Sequence, residues 1–370
     1  MKTRLRLLLL ASLITVSGCQ ADTPKPPPAD WKTECVGRYQ VSLPGEVEVA
    51  TLSTKNILNS TQNDYQFNDG TNASYSSGYS VFENMDKDSA NSFIRKFKLL
   101  RDGQTGNPRF VEGLNSHWLS VNDNKHDLDL AWVEPGLFML YVYRNGRFFS
   151  LGSNFDKSNS VKNDENKAIF LVKEKRDSFR FRALYELPNQ PGLCVPYQFI
   201  PDDGKEDYSL AVTMRLLAHP DVEIMVSFQI ADHNGDGNNP KLMHNFLYQR
   251  LEEFWGRRNY TGMYKKIKTS STQSIMLDGR EGAGIFANYQ NYTKADTLPP
   301  NAYGHRIYNS REDFGLYASA EGEEGNPAKP TITVYVIRTA DRAIGKPVTE
   351  TELKAMAETI MASIKPMTPK

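Results

Sequence analysis

Two stretches of the chain set out apolar and polar residues in the same order. Each opens with a cysteine that leads a strand-like apolar run holding Tyr-Gln. The first is Cys35-Val36-Gly37-Arg38-Tyr39-Gln40-Val41, the second Cys194-Val195-Pro196-Tyr197-Gln198-Phe199-Ile200. Each then reaches apolar residues at three- and four-residue spacing, the period of an amphipathic helix. In the first half, Asp88 caps a helix whose face carries Ala90, Phe93, Ile94, Phe97 and Leu100, and Gly103 stops it. In the second, Asn239 caps and Pro240 takes the first helical position. Leu242, Met243, Phe246, Leu247, Leu251, Phe254 and Trp255 form the face, up to Gly256.

Strand-like segments follow in both halves, at 109–113, 117–121 and 128–133, then at 274–279, 283–289 and 314–319. A hairpin closes the first set, with 138–143 meeting 147–151 across Asn145-Gly146, the favoured pair for a type I′ turn. Residues 331–337 take the late strand position in the second set. A last helix ends each half. In 166–179 the face holds Ala168, Ile169, Val172 and Phe179. In the second half, Thr349 and Glu352 form a capping box ahead of Leu353, Met356, Ala357, Ile360 and Ile364. This order predicts an α+β fold of two tandem, duplicated domains, each a mainly antiparallel sheet packed by helices. The punctuated stretch Leu187-Pro188-Asn189-Gln190-Pro191-Gly192 places the boundary, giving domains at 34–188 and 189–367. Two unrelated α+β domains fit the same order.

The segment before these domains has a different character. Residues 1–18 carry Lys2, Arg4 and Arg6 and then the apolar run Leu7-Leu8-Leu9-Leu10-Ala11-Ser12-Leu13-Ile14, the build of a signal peptide. The run is shorter than the roughly 20 residues of a membrane-spanning helix. Val16-Ser17-Gly18-Cys19 is a lipobox, in which the Cys19 thiol accepts a diacylglycerol; an ordinary cleaved signal with an incidental cysteine is the alternative. Residues 19–33 then read as a lipidated cysteine and a stiff tether through Lys25-Pro26-Pro27-Pro28. Gln20, where Asp marks inner-membrane retention, favours anchoring in the periplasmic leaflet of the outer membrane. Loss of residues 1–18 leaves 41 basic against 44 acidic residues, so the intact chain's balance of 44 and 44 becomes mildly acidic. That gives no footprint for nucleic acid.

Cys35 and Cys194 stand at equivalent places. In an oxidising compartment they are expected to pair, fixing the angle between the domains; two buried free thiols are the alternative. No catalytic motif is present: no Gly-x-Ser-x-Gly, His-Glu-x-x-His or P-loop, and no two of the six histidines stand at i, i+4. No catalytic residue, metal or cofactor is therefore assigned. Asp232-His233-Asn234-Gly235-Asp236-Gly237 opens like a calcium loop, but Met243 stands where the twelfth-position Glu is required, so a polar loop capping the next helix is the reading preferred. Gly279-Arg280-Glu281-Gly282-Ala283-Gly284 lies between two strand-like segments and reads as a tight hairpin or bulge. Arg257-Arg258, Lys265-Lys266-Ile267-Lys268 and Glu321-Gly322-Glu323-Glu324 read as solvated loops. Tyr65, Tyr75, Tyr79, Tyr289, Tyr292 and Tyr303 recur in loop-like stretches, as on protein-binding surfaces.

Several features together resemble the Tli4-type immunity proteins, which protect bacteria from phospholipase effectors of the type VI secretion system. They are the lipobox at Val16 to Cys19, the Cys-Val-Gly-Arg-Tyr opening at Cys35 with Leu43-Pro44, the second opening at Cys194 and the Trp-containing strand before a hairpin. The resemblance implies a non-enzymatic periplasmic lipoprotein. Its two α+β domains would grip a Tle4-like lipase and block substrate access. It transfers one functional position, the anchoring Cys19. A structural or assembly lipoprotein of the envelope is the rival expectation, and a periplasmic enzyme with scattered site residues is a weaker one.

Overall fold

The computed structural model describes residues 26–59, 65–74, 80–105, 117–121, 127–134, 137–154, 165–205, 208–230, 251, 253–256, 264–291 and 311–367. In chain order the elements begin with β1 (Lys32–Val36), β2 (Tyr39–Leu43), β3 (Val47–Val49), β4 (Thr51–Leu52), α1 (Thr54–Leu58), β5 (Tyr65–Gln66) and β6 (Ser80–Val81). Next come α2 (Lys87–Thr105), β7 (His117–Ser120), β8 (Leu130–Glu134), β9 (Leu137–Arg144), β10 (Arg147–Asn154), α3 (Glu165–Ser178) and β11 (Arg180–Phe181). Then follow β12 (Gly192–Val195), β13 (Gln198–Pro201), β14 (Ser209–Leu216), β15 (Val222–Gln229), β16 (Tyr264–Thr269) and β17 (Gln273–Leu277). The chain closes with β18 (Arg280–Asn291), β19 (Asp313–Ala320), β20 (Thr331–Arg338), α4 (Glu350–Ser363) and β21 (Lys365–Pro366). This is an α+β fold of mainly antiparallel sheets, compatible with a duplicated plan although the two main sheets differ in size.

The first main sheet has the order β6-β10-β9-β8-β7. Its β9–β10 hairpin turns at Asn145 (φ 47°) and Gly146 (φ 78°), both in the left-handed region that a type I′ turn needs. Trp118 and Trp132 face each other across β7 and β8 with ring centroids 4.9 Å apart. α2 lays Ala90, Phe93 and Phe97 into this aromatic layer, Phe93 lying 5.7 Å from Phe148. Its cap is Asp86, whose carboxylate accepts the Ser89 N–H at 2.7 Å, rather than Asp88, and the helix runs past Gly103 to Thr105.

The second main sheet runs β16-β18-β19-β20-β15-β14-β3, with β17 also on β18. Its central strands β14 and β15 are near-continuous apolar runs because both faces are covered. On one face, Leu353, Ala357 and Ile360 of α4 join a single apolar cluster that extends through β1 and β2 to the first sheet. The capping box is present in full: the Thr349 side chain accepts the Glu352 N–H, and the Glu352 carboxylate accepts the Thr349 N–H at 2.7 Å. On the other face, Met225, Tyr317, Tyr335 and Ile285 pack with Leu251 and Trp255, the described part of the helix expected from Asn239.

β3 belongs by sequence to the first half, yet it pairs with β14, Val49 opposite Met214 and Val47 opposite Leu216. At the chain's far end, β21 pairs with β2. The start of the folded chain is therefore built into the sheets of its second half. Lys265, Lys266 and Lys268 lie on β16, an exposed edge strand with a bulge, and not in a loop; lysines and bulges keep such an edge from pairing with other chains. Among the described residues no helix is long and apolar enough to cross a membrane.

Leu353 on α4 is fully buried in the apolar cluster beneath the larger sheet. Leu353→Ala is expected to lower the unfolding free energy by about 2–5 kcal/mol, measured by urea denaturation.

Candidate interaction surface and the junction that shapes it

The two cysteine-led runs are not single strands. Each folds back at once: β1 returns as β2 across Gly37-Arg38, and β12 returns as β13 across Pro196-Tyr197. Gly37 and Tyr197 both hold φ of 60° at these turns. Glycine is required at the first, since a Cβ there would meet the Tyr208 ring at 3.0 Å. The turn of the first hairpin meets β12 of the second. Gly37 and Cys194 each donate an N–H to the other's carbonyl at 2.8 Å. Cys35 and Cys194 are disulfide-bonded with Cα atoms 5.7 Å apart, buried under Phe199, Leu187 and Met367.

Beside this bond lies a buried ion pair. Taking a guanidinium out of water costs several kcal/mol unless its N–H groups all find acceptors. Arg182 meets that condition. It pairs with the Glu34 carboxylate and donates to the carbonyls of Cys35 at 2.9 Å, Ala183 at 3.1 Å and Gln198 at 3.3 Å. The other Glu34 oxygen accepts the Tyr185 N–H. Tyr185 sits at φ 66°, and its hydroxyl oxygen accepts the Val47 N–H at 2.6 Å. The stretch between the halves is thereby tied to β1 and β3 together.

A second charge network holds segment 67–74 on the larger sheet. Glu48, Arg215 and Glu223 are neighbours in register across β3, β14 and β15. Arg215 grips Glu48 through Nε at 2.8 Å, reaches Asp69 and the Thr71 hydroxyl at 3.0 Å each, and covers the Phe67 ring at 4.3 Å. Glu223 accepts the Ser74 N–H at 2.7 Å, its hydroxyl at 2.9 Å, Arg342 at 3.0 Å and the Tyr335 hydroxyl at 3.1 Å. Burial alone would raise the Asp69 carboxyl, but Thr71 and Arg215 outweigh it and hold it down at about 2. Nearby, Arg38 pairs with Asp202 at 3.0 Å, and the Tyr39 hydroxyl donates to the Ala328 carbonyl at 2.9 Å. Burial first, then the Asp278 charge, pushes the Tyr39 hydroxyl pKa up.

These groups satisfy one another, and among the described residues no three His, Cys, Asp or Glu gather as a metal site. The arrangement ties the two cysteine-led hairpins to each other and holds segment 67–74 on the larger sheet. Of the residues singled out by sequence, the structure joins Cys35 to Cys194. Cys19, the Asp232–Asp236 loop, and Tyr75, Tyr79, Tyr292 and Tyr303 lie outside the described residues. Tyr65 and Tyr289 are buried strand residues and leave the recognition reading. Glu34, Glu48, Arg182, Arg215 and Glu223 were not anticipated. A signal existed for three of them: Val47-Glu48-Val49, Met214-Arg215-Leu216 and Val222-Glu223-Ile224 each set a lone charge inside an apolar run. Such a charge in a covered strand must have a partner.

Residues 186–367 match the family described as Tle cognate immunity protein 4 C-terminal domain. The chain is similar to a solved structure, "The crystal structure of Tle4-Tli4 complex", at 14% identity and a TM-score of 0.50, covering 92% of this chain and 98% of that one. It is also similar to the immunity protein TplEi of T6SS from Pseudomonas aeruginosa complexed with "L" peptide. There the identity is 14%, the TM-score 0.49, and the coverage 93% of this chain and 100% of that one. At 14% identity the likeness to the first is one of fold. No curated protein matches the chain significantly.

Glu34→Gln leaves Arg182 buried without its counter-charge and is expected to cost about 3–5 kcal/mol in urea denaturation. Asp69 has a depressed pKa in the folded chain. Its contribution is present above the ordinary 3.8 and is lost as the pH falls toward about 2. Its side chain is 50% exposed, so the contribution is under about 1 kcal/mol. Asp69→Asn should lower the urea midpoint at pH 7, and the gap to wild type should close as the pH falls through about 2.

Proposed function

Because residues 186–367 match the family described as Tle cognate immunity protein 4 C-terminal domain, we propose that the chain is a type VI secretion immunity protein that neutralises a cognate phospholipase effector by covering its active-site entrance. The family match is the observation that carries this reading. The chain is a binding partner and not an enzyme. Its action needs a surface held in advance, since every loop ordered on binding subtracts from affinity. The Cys35–Cys194 bond and the Glu34–Arg182 pair support such a surface by tying the two small hairpin sheets together, and the Glu48–Arg215 pair by holding β3 on β14.

Place follows from the target. A phospholipase delivered into the periplasm meets its substrate at the membrane, so its neutraliser works best in the same compartment and close to lipid. The signal-like residues 1–18 and the lipobox at Cys19 support export and anchoring. Several acyl chains hold a protein stably where one is marginal. The proline-rich stretch after Cys19 spaces the folded part from the lipid surface. Gln20 favours the outer membrane's inner leaflet.

The test is direct. The chain from Cys19 onward, titrated into the lipase encoded beside it, is expected to co-elute with that lipase and abolish phospholipid hydrolysis at a stoichiometric ratio. In cells, Cys19→Ser should move the protein from the membrane to the soluble periplasmic fraction and weaken protection. Undiminished hydrolysis in the presence of excess chain would defeat the reading.

A further inference from the structure

The Cys35–Cys194 bond is sealed from solvent, Cys35 being 1% and Cys194 0% exposed. Phe199, Leu187 and Met367 pack over it, and they are not held equally. Phe199 stands on β13, the middle strand of its small sheet, paired with β11 on one side and β12 on the other. Leu187 follows the stretch that Arg182 grips through the carbonyls of Ala183 at 3.1 Å and Glu186 at 3.4 Å. Met367 follows β21, which has two residues and pairs on one side only, with β2. One of the two is Pro366, which has no N–H to give. Both side chains of β21 are exposed.

Few contacts keep β21 in place. Before it, Ile364 is buried at the end of α4. Along it, Gln40 faces Lys365 and Tyr39 faces Pro366. After it, the Met367 N–H donates to the Arg38 carbonyl at 2.8 Å, and the Met367 sulfur rests 3.3 Å from the Cys35 sulfur. A terminal segment with so few bonds opens at far lower cost than the sheets that carry the cysteines. Opening it uncovers the Cys35 sulfur. It leaves untouched the two hydrogen bonds between Gly37 and Cys194 and the buried Glu34–Arg182 pair.

We propose that β21 with Met367 is a lid over the disulfide, and that reducing thiols reach the bond by lifting this lid rather than by unfolding the protein. The reagent class is a dithiol. Its thiolate attacks one cysteine sulfur, forming a mixed disulfide and releasing the other cysteine as a thiolate. Its second thiol then displaces the first cysteine. The protein ends with two thiols, which take up the reagent's two protons, and the reagent ends as a disulfide, oxidised by two electrons. With the lid closed, both sulfurs are out of a thiolate's reach. Reduction removes the covalent tie between β1 and β12, so the lid sets how long the junction keeps that tie when thiols are present. The inference holds whatever partner the chain binds.

The experiment follows reduction by dithiothreitol of the oxidised chain from residue 19 onward, carrying Cys19→Ser so that Cys35 and Cys194 are its only cysteines. Freed thiols are trapped by alkylation and counted by mass. The parent is compared with Met367→Ala, with a chain ending at Ile364, and with the parent unfolded in urea, which gives the rate of the uncovered bond. The folded parent should be reduced at least about a hundredfold more slowly than the unfolded one, and Met367→Ala about tenfold faster than the parent. The chain ending at Ile364 should be faster still. Low urea concentrations, which promote global unfolding, should leave the parent's rate nearly unchanged, since lifting a short segment exposes little surface. If both variants are reduced at the parent's rate, the lid proposal fails. It fails equally if the parent's rate climbs with urea as steeply as its unfolding equilibrium, or if the folded parent is reduced as fast as the unfolded one. Should the shortened chain not fold, Met367→Ala and the urea dependence decide.

Discussion

β3 leaves its own half of the chain to pair with β14, and the rest of the junction follows from what that crossing buries. A strand placed at the margin of another half's sheet brings its side chains with it. Glu48 arrives in register with Arg215, and Glu34 on the preceding β1 comes to lie within the stretch that joins the halves. Neither carboxylate is tolerable there alone. Each has an arginine that also satisfies nearby oxygens, so the two sites are costly to open and specific in geometry. The disulfide between β1 and β12 adds a covalent constraint to a contact already made by two backbone hydrogen bonds.

This construction bears on function through rigidity. A protein that works by binding another protein gains nothing from groups of its own that make or break bonds. It gains from not having to rearrange when it binds. Here the continuous apolar cluster from β1 to α4, the paired charges and the capped helices all limit the freedom of the two sheets. The loops at their margins inherit that restraint. The loop 340–348 between β20 and α4 is the clearest case, since the buried Asp313 and Asp221 carboxylates hold its two ends.

Much of the local structure was legible because its signals are local. The Asn145-Gly146 turn, the Thr349–Glu352 capping box and the Phe93–Phe97 face depend on residues within a few positions of one another. Errors arose where a neighbouring group of the same kind competed. Asp86 and Asp88 are both plausible caps, and only the direction of the Asp86 carboxylate toward the Ser89 N–H decides between them. The cysteine-led runs read as strands because their turns contain too few residues to interrupt an apolar pattern. The lysines at 265–268 read as a loop because an exposed edge strand alternates poorly.

From the sequence alone came the α+β class, the order of helices and hairpins, the expectation of export and lipidation and the absence of catalytic motifs. These rest on short-range spacing and on residue chemistry, which need no partner to be recognised. The tertiary structure alone decided which half β3 joins and which carboxylate meets which arginine. Those outcomes depend on residues more than a hundred positions apart meeting in space, such as Glu34 with Arg182 and Glu48 with Arg215. Nothing in the chemistry of either partner by itself specifies the other.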